Sequence, residues 1–474
     1  MRSVVDREQI YLRLPVWLQN AVVSLEGRRL IRRRYDKAFE GLLRIAQERG
    51  CQPKEDLQHF QAERLRGFLE TAKRSPFWNE RFQQRSVKVE AADPFQEICK
   101  LPVLSKEEVK DNIVRIAVRR EEEDVISAHT SGTTGSGIVF PVARSAEQEQ
   151  WAIWWRYREW HGINRNTWCG YFGGRSLVPF SQKKPPFWRL NRSGKQLMFS
   201  AYHLSEESAK SYIEALVENG ITWLHGYPSI LSLLAGYVID QKINSLPGIQ
   251  IITTGAESLL PHQRELISKG FKSKVVQHYG QAEGVANFSE CEHGSLHVDE
   301  DFAWVEFVPV QGDKNLLRII GTNWANQAFP LLRYDTGDIA TLSNLTCPCG
   351  RSGRIVASVD GRKEDYLILP NGVKIGRLDH IFKDLVHIRE AQIVQTEKGS
   401  AVFKVVKGTD YDSSGAEKKL LDEARKRLGK DIKLSVEYMG TIPRTRSGKL
   451  RFVVSELEEG KLNRVSDEAD HPIL

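Results

Sequence analysis

Between residues 165 and 290 short apolar runs alternate with helix-length segments, and this alternation constrains the fold of the 474-residue chain more than any other feature. The runs are Thr167–Phe172, Leu197–Ala201, Ile221–His225, Ile249–Thr254 and Lys274–Tyr279. Between them the spacing predicts helices over Glu206–Glu218, Pro228–Val238 and Pro261–Lys269. Strands joined by helices run parallel, because a helix-length crossover brings the chain back to the starting end of the sheet. In such sheets ligands sit beyond the carboxyl ends of the strands. Two of the runs end there in polar segments, Thr253-Thr254-Gly255-Ala256-Glu257 and His278-Tyr279-Gly280-Gln281-Ala282-Glu283. The longest uncharged stretch, 221–239, holds His225, Tyr227, Pro228 and Ser229. It therefore reads as a buried strand, a turn and a buried helix rather than a membrane span.

The flanks follow other grammars. Residues 1–85 read as helices: Leu14–Leu25 with Pro15 in its first turn, Tyr35–Glu48 with Phe39, Leu42, Leu43 and Ala46 on one stripe, and His59–Lys73 with Leu65, Phe68 and Leu69. Ser105 and Glu108 stand at capping-box spacing. Glu147–His161 is a helix whose Trp151, Trp154, Trp155, Tyr157 and Trp160 read mostly as core, with one or two left to line an apolar slot together with His203, His225, Tyr227 and His278. Residues 301–345 alternate with period two and predict antiparallel strands. From residue 362 a small α+β pattern follows: Ala391–Thr396, Ala401–Val406, the helix Gly415–Leu428 and Ile432–Tyr438. The expectation is an α/β protein: a large N-terminal domain over 1–361, with parallel α/β sheets plus an antiparallel β segment, and a small C-terminal α+β domain over 362–474.

Hydrophobic residues at 41% and charged residues at 27% suit a globular enzyme. Six cysteines are too few for a disulfide scaffold, which argues for a reducing, cytoplasmic compartment. Met1–Glu8 lacks the apolar run of a signal peptide. The formal charge is +7, and residues 1–50 supply +5 of it through 11 Lys/Arg against 6 Asp/Glu. The densest cluster, Arg28, Arg29, Arg32, Arg33 and Arg34, reads first as a solvated helix face. Docking through it onto the inner membrane face or an acidic biosynthetic partner is the sharper alternative. No zinc finger, RNA-recognition signature or basic zipper points to nucleic acid.

Two predicted strands, Asp124–His129 and Ile138–Val142, bracket Thr130-Ser131-Gly132-Thr133-Thr134-Gly135-Ser136-Gly137. Glycines let backbone N–H groups turn towards an anion, and hydroxyls add donors without bulk. The segment reads as a polyphosphate-gripping loop, with a Ser/Thr-rich surface turn as the bland alternative. No Gly-Lys-Ser/Thr ends it, so it is not a Walker A loop.

This loop, Thr254–Glu257, Tyr279–Glu283, Tyr334–Asp338, Gly361-Arg362 and Arg444–Lys449 follow one another in an order and spacing that resembles the AMP-forming, adenylate-forming ligases. Within them the chain is similar to the phenylacetate–CoA ligase branch and its capsular-polysaccharide-biosynthesis members, over about residues 60–455. The resemblance implies roles residue by residue. Thr130, Ser131, Gly132, Thr133, Thr134 and Gly135 hold the β- and γ-phosphates of ATP. Glu283 takes the magnesium ion (Mg2+). Gly255, Ala256 and Glu257 flank the adenine, Tyr279 stacks on it, and Gly280 and Gln281 complete the nucleotide contacts. Asp338 accepts the ribose hydroxyls, Arg362 assists at ribose or phosphate, and Lys449 stabilises charge at the α-phosphate. It further implies two half-reactions, with the C-terminal domain a mobile lid that rotates between them. Glu364 stands where the hinge is usually Asp or Lys, and Ser136-Gly137 departs from the Lys- and Pro-containing end of many relatives' loops.

Cys347-Pro-Cys349, with Cys291 and His297 upstream, supplies three thiolates and one imidazole, a closed tetrahedral set for structural zinc (Zn2+). His293 is the alternative imidazole, and reduced free cysteines are the bland reading. The phenylacetate–CoA ligase branch resembles this arrangement, with zinc in some members. Cys51, Cys99 and Cys169 read as buried apolar residues. The functional expectation is an ATP-dependent ligase that activates a small-molecule or sugar-linked carboxylic acid and passes the acyl group to an amine or to the thiol of CoA. A non-catalytic, zinc-stabilised nucleotide-binding scaffold for biosynthetic partners is the second expectation.

Overall fold

The computed structural model describes residues 10–118, 124–129, 138–173, 177–179, 181–246, 248–310, 313–362, 367–370, 374–375, 378, 381, 388–408, 411, 413–429, 432–444, 450–455 and 457. The chain folds into two compact units, one of Met1–Arg29, Asn166–Val275 and Lys363–Leu474, the other of Leu30–Arg165 and Val276–Arg362. The boundary expected at 361/362 lies one residue from the point where the chain passes from the second unit back to the first.

The N-terminal helices are α1 (Val16–Arg34), α2 (Lys37–Arg49), α3 (Lys54–Ala72), α4 (Pro76–Gln84), α5 (Pro94–Cys99), α6 (Lys106–Asp111) and α7 (Ile113–Ile116). Local chemistry sets their starts. Asp36 caps α2 by accepting from Phe39 N, Ser75 precedes Pro76 at the head of α4, and Asp93 caps α5. The Ser105–Glu108 capping box opens α6 as its spacing predicts. Phe39, Leu43 and Ala46 of α2 and Leu65, Phe68 and Leu69 of α3 are buried. Two cysteine expectations fail: Cys51 and Cys99 are exposed and only Cys169 is buried. Cys51 stands in the turn after α2 and Cys99 ends α5, where chain reversals turn side chains to solvent.

Strands β1 (Val125–His129) and β2 (Val139–Ala143) form an antiparallel hairpin, closed by the pair His129↔Val139. Helix α8 (Arg144–Glu159) follows. The α/β segment comprises β3 (Cys169–Phe172), β4 (Trp188–Asn191), β5 (Gln196–Phe199), α9 (Glu206–Glu218), β6 (Trp223–Gly226), α10 (Pro228–Asp240), β7 (Ile251–Thr254), α11 (Pro261–Phe271) and β8 (Lys274–Gly280). In the first unit the sheet order is β7-β6-β3-β5-β4. Strand β3 is parallel to β5 and β6, and β6 is parallel to β7. Every residue of α10 from Pro228 to Val238 is buried, the pattern of a helix apolar all round. The antiparallel edge strand β4 escapes sequence reading, because Trp-Arg-Leu-Asn is short and carries two polar residues. Its Arg189 is fully buried and bonded to Gln19 and Gln182. Helix α1 packs here: Asn20 Oδ1 accepts from Leu190 N, Ser24 Oγ donates to the Leu190 carbonyl, and a Cβ on Gly27 would lie 2.1 Å from Asn191 Oδ1.

The second unit is completed by β9 (Asn287–Glu290), β10 (Leu296–Val298), β11 (Trp304–Val310), β12 (Asp313–Thr322), β13 (Tyr334–Ser343) and β14 (Ile355–Arg362). Its sheet runs β11-β12-β13-β14-β10-β9-β8, every pairing antiparallel. The C-terminal segment holds the hairpin β15 (Leu367–Ile368) and β16 (Lys374–Ile375), then β17 (Ile388–Gln395), β18 (Ser400–Lys407), α12 (Ser413–Leu428), β19 (Lys433–Tyr438) and β20 (Val453–Ser455). The order β19-β18-β17-β20 forms a small mixed sheet, and Ile393, Phe403, Leu420 and Ala424 share its core. Among the described residues no helix is long and apolar enough to cross a membrane.

Candidate functional site

In the second unit β8 ends at Gly280, and the chain turns through Gln281–Gly284, with Gly284 at φ +65°. Close packing dictates Gly280: a Cβ there would lie 2.8 Å from Asn287 Oδ1. Asn287 is itself fixed, accepting from Trp154 Nε1 at 2.8 Å and donating to Asp299 Oδ2 at 2.6 Å. Behind it Arg156, fully buried, donates to Asp299, Asp301 and the Ala46 carbonyl. Both carboxylates beside Arg156 hold its guanidinium protonated against the cost of burial.

The carboxylates expected to act at a nucleotide are held by tyrosines. Tyr279 Oη donates to Asp338 Oδ2 at 2.6 Å, and Tyr334 Oη donates to Glu283 Oε1 at 3.2 Å. Gln281 Nε2 adds a 3.4 Å bond to Tyr279 Oη. Burial, and then the charge of Asp338, pushes the Tyr279 phenol well above its ordinary value, so it keeps its proton and stays a donor. The ring of Tyr279 stacks on Phe288 at 4.7 Å between centroids. Asp338 sits in a constrained turn: Gly337 takes φ +77°, its N–H bonds Asp335 Oδ1 at 3.1 Å, and Asp338 N bonds Thr336 Oγ1 at 3.1 Å. Only glycine adopts that φ without strain. Arg362 pairs opposite Asp338 in the β13–β14 register. The tyrosine roles escaped sequence reading; Tyr334 opens the Tyr334–Asp338 motif, and its hydroxyl was the available signal.

In the first unit Gly255, Ala256 and Glu257 follow β7, and Ala256 adopts φ +67°. Both oxygens of Glu257 are engaged: Oε2 accepts from Ser229 N at 3.2 Å at the start of α10, and Oε1 accepts from Leu450 N at 2.9 Å. Arg444 donates to Ser229 Oγ and pairs with Glu390. Arg444 and Leu450, on either side of residues 445–449, are thus both tied to the Ser229–Glu257 neighbourhood. Trp223 Nε1 and His225 Nδ1 each lie 2.8 Å from Thr253 Oγ1, a cluster no motif announced. Residues 130–137, Lys449 and the side chain of Arg362 lie outside the described residues. The aromatics expected partly at a slot are mostly committed. Trp155 and Tyr157 are buried, Arg34 stands 4.3 Å over Trp151, and His203 is bonded to Ser200 and stacked on Phe187. Burial lowers the proton affinity of His203.

The cysteine cluster is assembled by two turns of the second unit. Cys291 stands in the β9–β10 connection, and Cys347 and Cys349 stand between β13 and β14. One ligand atom each from Cys291, His297, Cys347 and Cys349 lies within 4.8 Å of all the others. Cys291 Sγ is 3.6 Å from Cys347 Sγ, and Cys349 Sγ is 3.3 Å from His297 Nε2. His297 Nδ1 lies 3.1 Å from the Gly353 carbonyl, which can only accept. That bond places the proton on Nδ1 and leaves the Nε2 lone pair facing the sulfurs, the orientation a ligating imidazole needs. Burial opposes ionisation of Cys347, but hydrogen bonds from the Ser295 side chain and the Cys349 backbone outweigh it and draw the thiol down to about 6. Burial pushes Cys291 up to about 11. Three sulfurs and one imidazole fit a tetrahedral zinc ion, and His293 lies outside the cluster.

Residues 367–456 match the CapK C-terminal domain family. Protein CapK of Staphylococcus aureus is 28% identical over 460 residues, which cover 95% of this chain and 99% of that protein. A phenylacetate-coenzyme A ligase of Thermus thermophilus is 26% identical over 463 residues, covering 85% of this chain and 97% of that one. Among solved structures, a 2-hydroxyisobutyryl-CoA ligase in the postadenylation state with 2-HIB-AMP shares the fold at a TM-score of 0.66 and 17% identity, over 87% of this chain and 92% of that one. The same ligase with 2-HIB-AMP and CoA in the thioesterification state superposes with a TM-score of 0.52 at 18% identity, over 86% and 91% of the chains. The resemblance read from the motifs is borne out, as is the mixed α/β fold with its C-terminal domain.

Proposed function

We propose, from the premise that this chain is a relative of CapK and of a phenylacetate–CoA ligase and carries the fold of adenylate-forming ligases, that it activates a carboxylic acid with ATP and transfers the acyl group. In the first half-reaction a carboxylate oxygen attacks the α-phosphorus, the bond to the β-phosphate oxygen breaks, and pyrophosphate leaves. In the second, an amine or the thiol of CoA attacks the acyl carbon, loses its proton, and AMP departs. The observation that carries this reading is the pair of carboxylates, Asp338 and Glu283, each held in orientation by a tyrosine hydroxyl. Asp338 is suited to the ribose hydroxyls, and Glu283 to the magnesium that accompanies the phosphates. The loop Thr130–Gly137 grips the pyrophosphate, Gly255–Glu257 and Tyr279–Gln281 flank the adenine, and Arg362 assists. Lys449 is delivered by a C-terminal lid from residue 362 onward, tied through Glu257 and Arg444. Magnesium neutralises charge between phosphates. Cys291, His297, Cys347 and Cys349 hold a structural zinc, whose four protein ligands leave no open position for catalysis. The kinship to CapK favours an acid or amine acceptor in capsular polysaccharide synthesis in the cytoplasm, and the kinship to the ligases favours CoA.

Pyrophosphate release across a broad panel of carboxylic acids, with Lys449→Ala as control, tests the reading. Wild type is expected to release pyrophosphate with one acid class, and the variant at least about a hundredfold more slowly, as loss of a transition-state donor costs. An identical background from both proteins across the whole panel overturns it. Addition of CoA or of amino sugars to the adenylating mixture then separates the acceptors by AMP release.

A further inference from the structure

Helix α1 carries an exposed face whose chemistry is that of a bilayer interface. Its inner face, Gln19, Val23 and Gly27, is buried, and Asn20 and Ser24 bond to Leu190 beside it. At about 100° per residue Trp17, Ala21, Leu25 and Arg28 fall within about 80° of one another on the opposite side, with Arg29 and Val22 at the margin. Trp17 is 69% exposed and Leu25 66%, Val22 is exposed at 41%, and Ile10, just ahead of the helix, at 59%. Single exposed apolar residues are ordinary, but most of the large exposed apolar side chains before residue 114 lie on this helix or at its entry. Arg28 and Arg29 are exposed on the same side, and the only acid exposed among residues 16–29 is Glu26, 3.8 Å from Arg29 in a solvent-facing pair. Such a pair is weak and breaks readily.

We infer that this face of α1 docks the protein on an anionic lipid bilayer, with Trp17, Leu25 and Val22 entering the headgroup region and Arg28 and Arg29 meeting lipid phosphates. Charge complementarity selects the occupant. A tryptophan with flanking aliphatics suits the boundary between headgroup and acyl chain, where its ring is apolar and its N–H remains wet. Arginines one to three turns further along keep their guanidinium groups at the phosphate level while their stems lie on apolar surface. Packing of the inner face on β4 presets the helix, so no folding cost opposes binding. The attachment is peripheral and reversible, and it is independent of the proposed ligase chemistry.

Vesicle flotation of the full chain tests this. Wild type is expected to float with phosphatidylcholine vesicles containing phosphatidylglycerol at low salt, to sediment with pure phosphatidylcholine, and to detach as salt rises. Arg28→Ala with Arg29→Ala lowers the partition coefficient about 30-fold, about fivefold for each arginine near the surface. Trp17→Ser with Leu25→Ser lowers it about tenfold or more. The exposed control pair Arg74→Ala with Arg85→Ala leaves it unchanged, and all variants keep the wild-type circular dichroism and thermal midpoint. Wild type that stays unbound with anionic vesicles at low salt overturns the inference, as does equal loss in the control pair. Concentration-dependent dimers seen by light scattering and abolished by Trp17→Ser with Leu25→Ser assign the face to a second copy and equally overturn it.

Discussion

Tyr279 Oη donates a 2.6 Å hydrogen bond to Asp338 Oδ2 across strands β8 and β13. That bond fixes one of the carboxylate oxygens of Asp338. A hydrogen bond to a charged group contributes about 1.5–3 kcal/mol, so Tyr279→Phe is expected to raise the apparent KM for ATP about tenfold or more. The ring remains, and with it the stacking on Phe288, so the thermal midpoint stays close to wild type. Steady-state pyrophosphate release at varied ATP and varied acid reads the difference, and an equal rise in both KM values would count against the ribose role of Asp338.

Glu283 depends on Tyr334 in the same way, through a longer bond of 3.2 Å. Tyr334→Phe is expected to shift the magnesium dependence of adenylation upward about threefold, near 0.7 kcal/mol, as suits a weak hydrogen bond. Titration of activity with magnesium at saturating ATP measures the shift. An unchanged curve would remove Tyr334 from the positioning of Glu283.

The hydroxyls of the glycine-rich loop carry a separate prediction. Ser136 stands where many relatives place a basic residue, so under the proposed function hydroxyls, backbone amides and magnesium would hold the pyrophosphate. Thr133→Ala with Thr134→Ala is expected to raise the ATP requirement about tenfold and to leave the acid requirement nearly unchanged. Equal effects on both substrates would mean that the loop is not the phosphate grip.

The cysteine cluster predicts a metal content. Protein purified without a histidine tag or chelator is expected to carry about one zinc per chain, the stoichiometry of a closed four-ligand site. Cys347→Ser with Cys349→Ser is expected to abolish it and to lower the thermal midpoint by about 10 °C, because a metal held there would join the β9–β10 turn to the β13–β14 connection. Adenylation per folded molecule persists. Full stability of the metal-free double variant would refute a structural ion.

Arg156 is the fifth test. It is buried with Asp299 and Asp301, and removing one partner of a buried pair leaves uncompensated charge. Arg156→Met is expected to cost about 3–5 kcal/mol in urea unfolding. The same change frees Asp299 and, through Asn287, the wall behind Gly280, so nucleotide affinity falls with stability. A loss below about 1 kcal/mol, the range of a surface pair, would show that the network is not what fixes β8 and β9.

Much of the secondary structure was legible along the chain. Glu206–Glu218 is a helix with the bounds its spacing predicts, and Ile221–His225, Ile249–Thr254 and Lys274–Tyr279 each contain or overlap a strand. These elements follow from periodicity, which is local. Strand β4 was not legible, because four residues with a buried arginine carry no period to detect. The exposed positions of Cys51 and Cys99 were not legible either: a cysteine's burial depends on whether its turn faces the core, not on its neighbours in sequence.

The sequence by itself determined the order of the motifs, the Ser105 helix cap, and the three cysteines of the candidate metal cluster, since residue type and spacing carry that information directly. Only the tertiary structure decided which hydroxyl holds which carboxylate, that His297 rather than His293 joins Cys347 and Cys349, and that Glu257 binds the backbone of Ser229 and Leu450. Those pairs are separated by tens to hundreds of residues. They form because strand pairing and helix packing fix where the backbone returns, and no local preference encodes that distance.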